Sequence, residues 1–390
     1  MAPPPVLKND SVLPLMKACC AFALGLGLWL QAPCIQAETY APPLPSDFTK
    51  DCRVNLDDLA VLAQRWLEID DAVNLAGTDQ IDLADLAVLS QHWLAQVTGP
   101  CNECRDWQVL HPEWIFCDDF EDNAPLKRQG RYFEYDNDGG DFVVVDGVGL
   151  NGSRGMRARF QSGEVSAGAL HLAFGRVPDA YFDKGIRPGE DFRDIYYRVY
   201  MRNQAGWTGN PAKLSRATVF AGSNWSQAMI AHLWSSGNLL LIDPASGVES
   251  NGKVVTTKYN DFDNLHWLGN KRGVTPIFAP QNADRWFCIE AHVRLNDPGQ
   301  SNGVQEFWIN GHLEASRTGL NFVDTYTDYG INAIFLENYW NAGSTKLQER
   351  YFDSFVVSTR RIGCLCVADP NSGTDRAADS VVIQRGEDGY

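Results

Sequence analysis

The chain contains no cluster of Lys or Arg. Its 390 residues carry 33 basic against 49 acidic side chains, a formal charge of −16, and a surface this negative repels phosphate backbones. Nucleic acid is thereby excluded as a partner. A hard cation such as Ca2+, which takes carboxylate oxygens, is favoured instead. Also lacking is an apolar run fit to cross a bilayer, because Lys17–Leu30 falls short of the ~20 residues a spanning helix needs. Helical periodicity almost disappears after Trp107, so a helical bundle is excluded for most of the chain. Disorder is excluded too, since 44% of residues are hydrophobic and 21% charged, as in folded proteins. What is plentiful is Trp, with 12 copies, a residue that serves sandwich cores or sugar-stacking surfaces.

Lys17–Leu30 (KACCAFALGLGLWL) is a basic residue followed by an apolar stretch, and Ala32–Ala37 (APCIQA) follows it. This is the pattern of a secretory signal peptide over 1–37, cleaved after Ala37, with Met16-Lys17 a more usual opening than Met1. Export implies an oxidising compartment. Seven cysteines then remain: Cys52, Cys101, Cys104, Cys117, Cys288, Cys364 and Cys366. The odd count predicts one free thiol, expected at Cys288 in the middle of a strand. A Cys117–Cys364 bridge is expected between the first and last strands of the large domain. Zinc binding by CNEC and CLC is the rival reading, and the export signal weighs against it.

Two segments repeat with a 27-residue period, Asp47–Leu67 and Asn74–Leu94, sharing Leu-Ala-Val-Leu and a Trp-Leu ending. Leu59, Leu62, Ala63 and Trp66 fall on one face of a helix, and Leu86, Leu89 and Trp93 repeat it. Before each helix, oxygen side chains stand at alternate positions. The first loop offers Asp47, Thr49, Asp51, Asn55 and Asp58, with the Arg53 carbonyl between them; the second offers Asn74, Thr78, Asp82 and Asp85. Six to eight oxygens wrapped round one ion is the requirement of Ca2+. These segments resemble a dockerin, the duplicated calcium loop–helix module that docks extracellular enzymes onto cohesin domains. The resemblance implies an all-α module over 44–96, bound Ca2+ and a cohesin-like partner. Cys52 stands at the usual turn Gly, and Leu56-Asp57 and Leu83-Ala84 stand where cellulosomal dockerins carry hydroxyl residues. A calcium-stapled helical pair with no partner is the alternative.

Residues 97–106 read as a linker and 367–390 as a loose tail. Between them, 107–366 carries short alternating runs (YYRVYMR, SQAMIAHLW, RWFCIEAHVRL, VQEFWING, YFDSFVVS) that predict an all-β sandwich. In Arg285–Leu295 the alternation points Phe287, Ile289, Ala291, Val293 and Leu295 to the core and Glu290, His292 and Arg294 to the other face. The returning strand Val304–Asn310 adds Glu306 and Trp308 to that outer face. Other strands offer Arg198, Tyr200 and Arg202, and His232 with Trp234. Aromatic and charged groups on a flat sheet face suit a sugar chain, stacking on its rings and bonding its hydroxyls.

The order of these strands, from Tyr196 to Thr359, is similar to the concanavalin A-like jelly-roll polysaccharide lyases that act on alginate or glucuronan. The resemblance implies a mainly β jelly roll and β-elimination on a uronate glycan. Such chemistry needs a cation at the carboxylate, a base for the C5 proton and an acid for the leaving oxygen. Lys213 or Arg198 are the candidate cations, His232 or His292 the bases, Tyr200 or Tyr339 the acids. Glu290, Arg294, Trp308 and Trp234 are candidate substrate contacts. Asp119, in the stretch CDDFED, and Asp353 are candidate ligands of a structural Ca2+. Glycoside hydrolysis is less favoured, for no strand shows the E-x-D-x-x-E-like pair of acids on one face. Each of these residues has a plainer reading, His232 as a hydrogen-bonded structural histidine and Glu290, His292 and Arg294 as a solvated strand face. The alternative for the whole chain is a lectin-like sandwich that binds glycan without cutting it.

Overall fold

The computed structural model describes residues 46–48, 54–70, 73–78, 80–94 and 103–365. The expected signal segment and tail, most of the expected linker, Cys52, Cys101, Cys366 and the candidate loop ligands Thr49, Asp51 and Arg53 lie outside them. The two repeat copies fold alike. Helices α1 (Leu56–Gln64) and α2 (Leu83–Gln91) each follow a short loop. Val54, Leu62, Val73, Ile81 and Leu89 bury themselves between the copies. The pairing is reciprocal, since Leu67 N–H donates to the Ile81 carbonyl at 2.9 Å and Leu94 N–H to the Val54 carbonyl at 2.8 Å. The helices end at Gln64 and Gln91, earlier than the periodicity suggests, and the chain then turns at Leu67 and Leu94, φ 65° and 61°. Trp66 and Trp93 thus lie past the helix ends, 37% and 39% exposed, and not on the core face.

The larger part is a sandwich of two antiparallel sheets, as its alternation predicts. Its strands, in chain order, begin with β1 (Trp114–Asp118), β2 (Glu134–Asp136), β3 (Phe142–Val145), β4 (Gly155–Phe160), β5 (Ser166–Ala173) and β6 (Asp194–Asn203). Then come β7 (Lys213–Phe220), β8 (Gln227–Ser236), β9 (Leu239–Ser246), β10 (His266–Trp267) and β11 (Lys271–Arg272). The last are β12 (Trp286–Arg294), β13 (Gly303–Ile309), β14 (His312–Leu320), β15 (Ala333–Tyr339) and β16 (Gln348–Ser358). The first sheet runs β14-β13-β12-β6-β16-β4-β3, with β1 also on β16; the second runs β10-β9-β8-β7-β15-β5-β2, with β11 also on β9. Phe287, Ile289, Ala291, Val293 and Leu295 face the core with Tyr197, Val199 and Met201. Burial of such side chains contributes about 1.5–3 kcal/mol each.

The disulfides differ from expectation. Cys117 pairs with Cys104, and Cys364 pairs with Cys288, which is therefore not free. The reason is the path of the chain after β16. That strand ends at Ser358, short of Cys364, and Cys117 lies beside Val356 within the sheet. Residues 361–365 then cross the outer face of β6 and β12, where Cys288 stands next to Tyr200. Replacing Cys288 with Ser removes a crosslink spanning 76 residues and is expected to lower unfolding stability by about 4 kcal/mol. An unchanged denaturation midpoint would contradict this.

Candidate active site

The structure divides the predicted site residues between the two sheets. On the first sheet, the outer face of β6, β12 and β13 is occupied by the chain itself. Glu290 is buried and accepts the N–H groups of Ile362 at 2.7 Å and Gly363 at 3.2 Å. Arg198, also buried, pairs with Glu103 and donates to the Gly363 carbonyl at 3.0 Å. The Tyr200 hydroxyl bonds the Leu365 backbone. Trp308 lies under the Arg361 guanidinium at 4.5 Å. His292 stacks on Tyr196 between the carboxylates of Asp194 (2.8 Å) and Glu306 (3.1 Å), and Arg294 donates to the Asn302 carbonyl. This face, read from sequence as open to sugar, holds down the segment that follows β16.

The second sheet brings other residues together. Glu134 (β2), His171 (β5), Phe335 (β15), Arg216 (β7), His232 (β8) and Asp243 (β9) are successive cross-strand partners. Direct partners share a face, so these six form one row crossing six strands, ~24 Å long at the usual strand spacing. Tyr339, Lys213 and Trp234 form a second row beside it. Lys213 and Arg216 are an odd number of residues apart and would normally point to opposite faces. A bulge between Lys213 and Ser215 brings them to the same one, where Lys213 pairs with Tyr339, itself an even number of residues from Phe335. Four residues expected from sequence, Lys213, His232, Trp234 and Tyr339, therefore meet here.

Arg216 is fully buried and meets Glu337 through two guanidinium nitrogens, Nε at 2.9 Å, while a third reaches Asn260. Its guanidinium also lies 4.8 Å from the Tyr259 ring. Burial raises the Glu337 carboxyl, but the charge and hydrogen bonds of Arg216 outweigh it and hold the group below its ordinary value. Lys213 places Nζ 4.6 Å from the Tyr339 ring centre. Burial drives its ammonium below the ordinary lysine value; Glu337 opposes this and Arg216 adds to it. His232 is held well below 6.5, by burial first and by Arg216 next. Its Nδ1 lies 3.0 Å from the Asp243 carbonyl, an acceptor, so Nδ1 carries the proton and Nε2 the lone pair. Nε2 is buried with no hydrogen-bond partner among the described residues.

Alignment of single charged residues escaped the sequence reading. Arg216, Glu337, His171 and Glu134 were missed, although His171 is an isolated polar group in the run ALHLA and Glu337 the single charged group of β15, the signals that could have found those two. His171 stacks on Phe335 at 3.6 Å and bonds Glu134 through Nδ1 at 2.9 Å; Tyr181 donates to the other Glu134 oxygen at 2.6 Å. Around the face stand exposed rings, Tyr181, Phe262, Trp267 and Tyr339.

The carboxylates named as metal ligands are well bonded. Asp353 accepts from Leu150 N–H at 2.7 Å, Ser354 N–H at 2.6 Å and Ser153 Oγ at 3.1 Å, and burial pushes its carboxyl up to about 8. Asp119 accepts from the Cys104 and Glu121 N–H groups. In the repeat module, Asp58 and Asp85 are both buried, and Asp47 is too. Asp85 accepts from Leu75, Ala76 and Asp82 N–H groups at 2.7–2.9 Å, and Asn74 Oδ1 from Gly77 and Thr78. Asp82 caps α2 by accepting from Ala84 N–H. Although burial opposes it, the backbone bonds keep the Asp85 carboxyl below its ordinary value, an ionised oxygen donor of the type Ca2+ takes.

No protein-family model and no curated protein matches the chain. Among solved structures it is similar to the alginate lyase vAL-1 from Chlorella virus, at 14% identity and TM-score 0.40, over 56% of this chain and 93% of that one. It is similar to the endo-β-1,4-glucuronan lyase from the fungus Trichoderma reesei, at 12% identity and TM-score 0.40, over 63% and 96% of the two chains. The marine PL-14 alginate lyase from Aplysia kurodai gives 12% identity and TM-score 0.42 over 63% and 99%. Likeness at this level leaves the function to the residues on the face.

Proposed function

We propose that the chain is an exported polysaccharide lyase that cleaves an acidic, uronate-containing glycan by β-elimination on the exposed side of the second sheet. The observation that carries this reading is the convergence of Lys213, His232 and Tyr339 on one sheet face rimmed by exposed aromatic rings. Lys213 Nζ neutralises the uronate carboxylate and so acidifies the C5–H bond. His232 Nε2 takes the C5 proton; the electron pair forms C4=C5 as the C4–O4 bond breaks. The Tyr339 hydroxyl gives its proton to the departing oxygen. Hydrolysis suits the face less well, because Arg216 keeps Glu337 ionised and unable to act as a proton donor.

The test is ultraviolet absorbance of the unsaturated uronate product, with alginate, glucuronan, pectate and glycosaminoglycans as substrates. A rise on one polymer supports the lyase; a flat trace on all of them contradicts it. The pH dependence is also set. Because His232 is held well below 6.5, it stays unprotonated through neutral pH, and the acid limb of kcat/KM should fall well below that value. An acid limb centred at or above 6.5 would remove His232 from the role of base. A second reading, glycan binding without cleavage, is favoured by the burial of His232 Nε2; it predicts retardation of the protein by a polymer with no absorbance change.

The repeat module is proposed to bind Ca2+ through Asp47, Thr49, Asp51, Asn55 and Asp58 with the Arg53 carbonyl, and more weakly through Asn74, Thr78, Asp82 and Asp85. A cohesin-like domain is its proposed partner. Calcium added to chelator-treated protein should release heat in titration calorimetry and raise Tm, by the equivalent of about 2.7 kcal/mol at a hundredfold excess over Kd. Asp58→Ala should remove the tighter site. Absence of heat and of a Tm shift would contradict the calcium reading.

A further inference from the structure

Two polar atoms on this face are buried without a partner among the described residues, and they are neighbours. His232 Nε2 is an acceptor, and Trp234 Nε1–H is a donor. Their rings lie 4.1 Å apart, centre to centre. A buried donor or acceptor left unpaired is unfavourable, so the pair points to a ligand that reaches both. What covers them is Trp267, whose ring lies 5.6 Å from the His232 ring and 5.9 Å from that of Trp234. Phe262 lies beside it, 6.0 Å from the Trp267 ring and 6.5 Å from those of His232 and Trp234.

The cover is built differently from the floor. His232 sits in a central strand and is fully buried, whereas Trp267 belongs to the two-residue edge strand β10 and is 44% exposed. Its neighbour across the strand is Ala245, too small to wedge the indole in place. The backbone beneath is fixed, by Leu268 N–H to the Pro244 carbonyl at 2.9 Å and by Arg317 to the Leu268 carbonyl at 2.7 Å. Motion is thus confined to the Trp267 side chain, and exposed side chains change rotamer within nanoseconds.

We infer that Trp267 is a displaceable cap over the His232–Trp234 pair, and that a pyranose ring of the glycan takes its place. In the displaced state a hydroxyl or carboxylate oxygen of the sugar accepts the Trp234 Nε1–H, and His232 Nε2 faces the sugar's C–H. Without substrate the indole keeps water from the base. The cap rests on the reading of this face as a glycan site, but its existence can be tested without any elimination.

The experiment is carbethoxylation of the full chain by diethyl pyrocarbonate, which attacks unprotonated imidazole nitrogens, with each histidine followed by peptide mass spectrometry. Trp267→Ala should label His232 roughly 10- to 1000-fold faster than the unaltered protein, the range set by a minor open state of 0.1–10%. His171 and His292 should label alike in both and serve as internal standards for folding. Trp267→Phe, which keeps an aromatic cover, should label slowly. Glucuronan and alginate hexasaccharides should then protect His232 in the Trp267→Ala protein. Equal labelling of His232 in all three proteins overturns the cap, whatever the absorbance assay gives. Fast labelling in Trp267→Ala with no product from any polymer keeps the cap and rejects the lyase.

Discussion

Lys213→Ala is expected to lower kcat/KM for elimination by roughly 10²–10³. Arg216 cannot substitute, because its nitrogens are directed at Glu337 and Asn260 and it is fully buried. On the proposed reading, the charge that meets a uronate carboxylate is therefore that of Lys213, which lies half-buried over Tyr339. Loss of its stabilising effect on the carbanion should appear mainly in kcat, since the negative charge to be stabilised grows toward the transition state. Tm should change little, for the side chain reaches solvent. The check is steady-state kinetics on the polymer that gives the strongest absorbance rise. Activity within threefold of the unaltered protein would remove Lys213 from the chemistry.

Glu337→Gln is expected to destabilise the fold by about 3–5 kcal/mol, the usual effect of breaking a buried ion pair from one side. The variant leaves the Arg216 guanidinium fully buried with its charge uncompensated, and leaves Lys213 nearby to repel it. Replacing both partners with apolar residues, Arg216→Met with Glu337→Leu, should recover most of the loss, because no unpaired charge remains. Urea denaturation of the two proteins checks this. A Glu337→Gln midpoint equal to that of the unaltered protein would mean that the pair is solvated.

The sandwich was legible because strands such as β12 alternate clearly. Phe287, Ile289, Ala291, Val293 and Leu295 lie in the core as read, and the strand spans Trp286–Arg294 against an expected Arg285–Leu295. The duplicated module was legible in its repeats, but Trp66 and Trp93 fell outside the helices, which end two residues before them. The choice of site was harder. Periodicity states which residues share a face, but not what covers that face, so the outer residues Glu290, His292 and Trp308 read as open to solvent. The segment after β16 covers Glu290 and Trp308 through backbone and side-chain contacts that no local pattern announces. Lys213 and Arg216 pose the opposite difficulty. Strict alternation separates them, and only a bulge, visible as a register shift between paired strands, unites them.

The central claim is that the row on the second sheet, and not the outer face of the first, performs the chemistry. The direct measurement is the ultraviolet absorbance assay on the same panel of uronate polymers with three proteins: unaltered, Lys213→Ala and His292→Ala. The predicted result is product from the unaltered and His292→Ala proteins at comparable rates and almost none from Lys213→Ala. Loss of activity in His292→Ala with Lys213→Ala intact would contradict the account and return the active site to the first sheet.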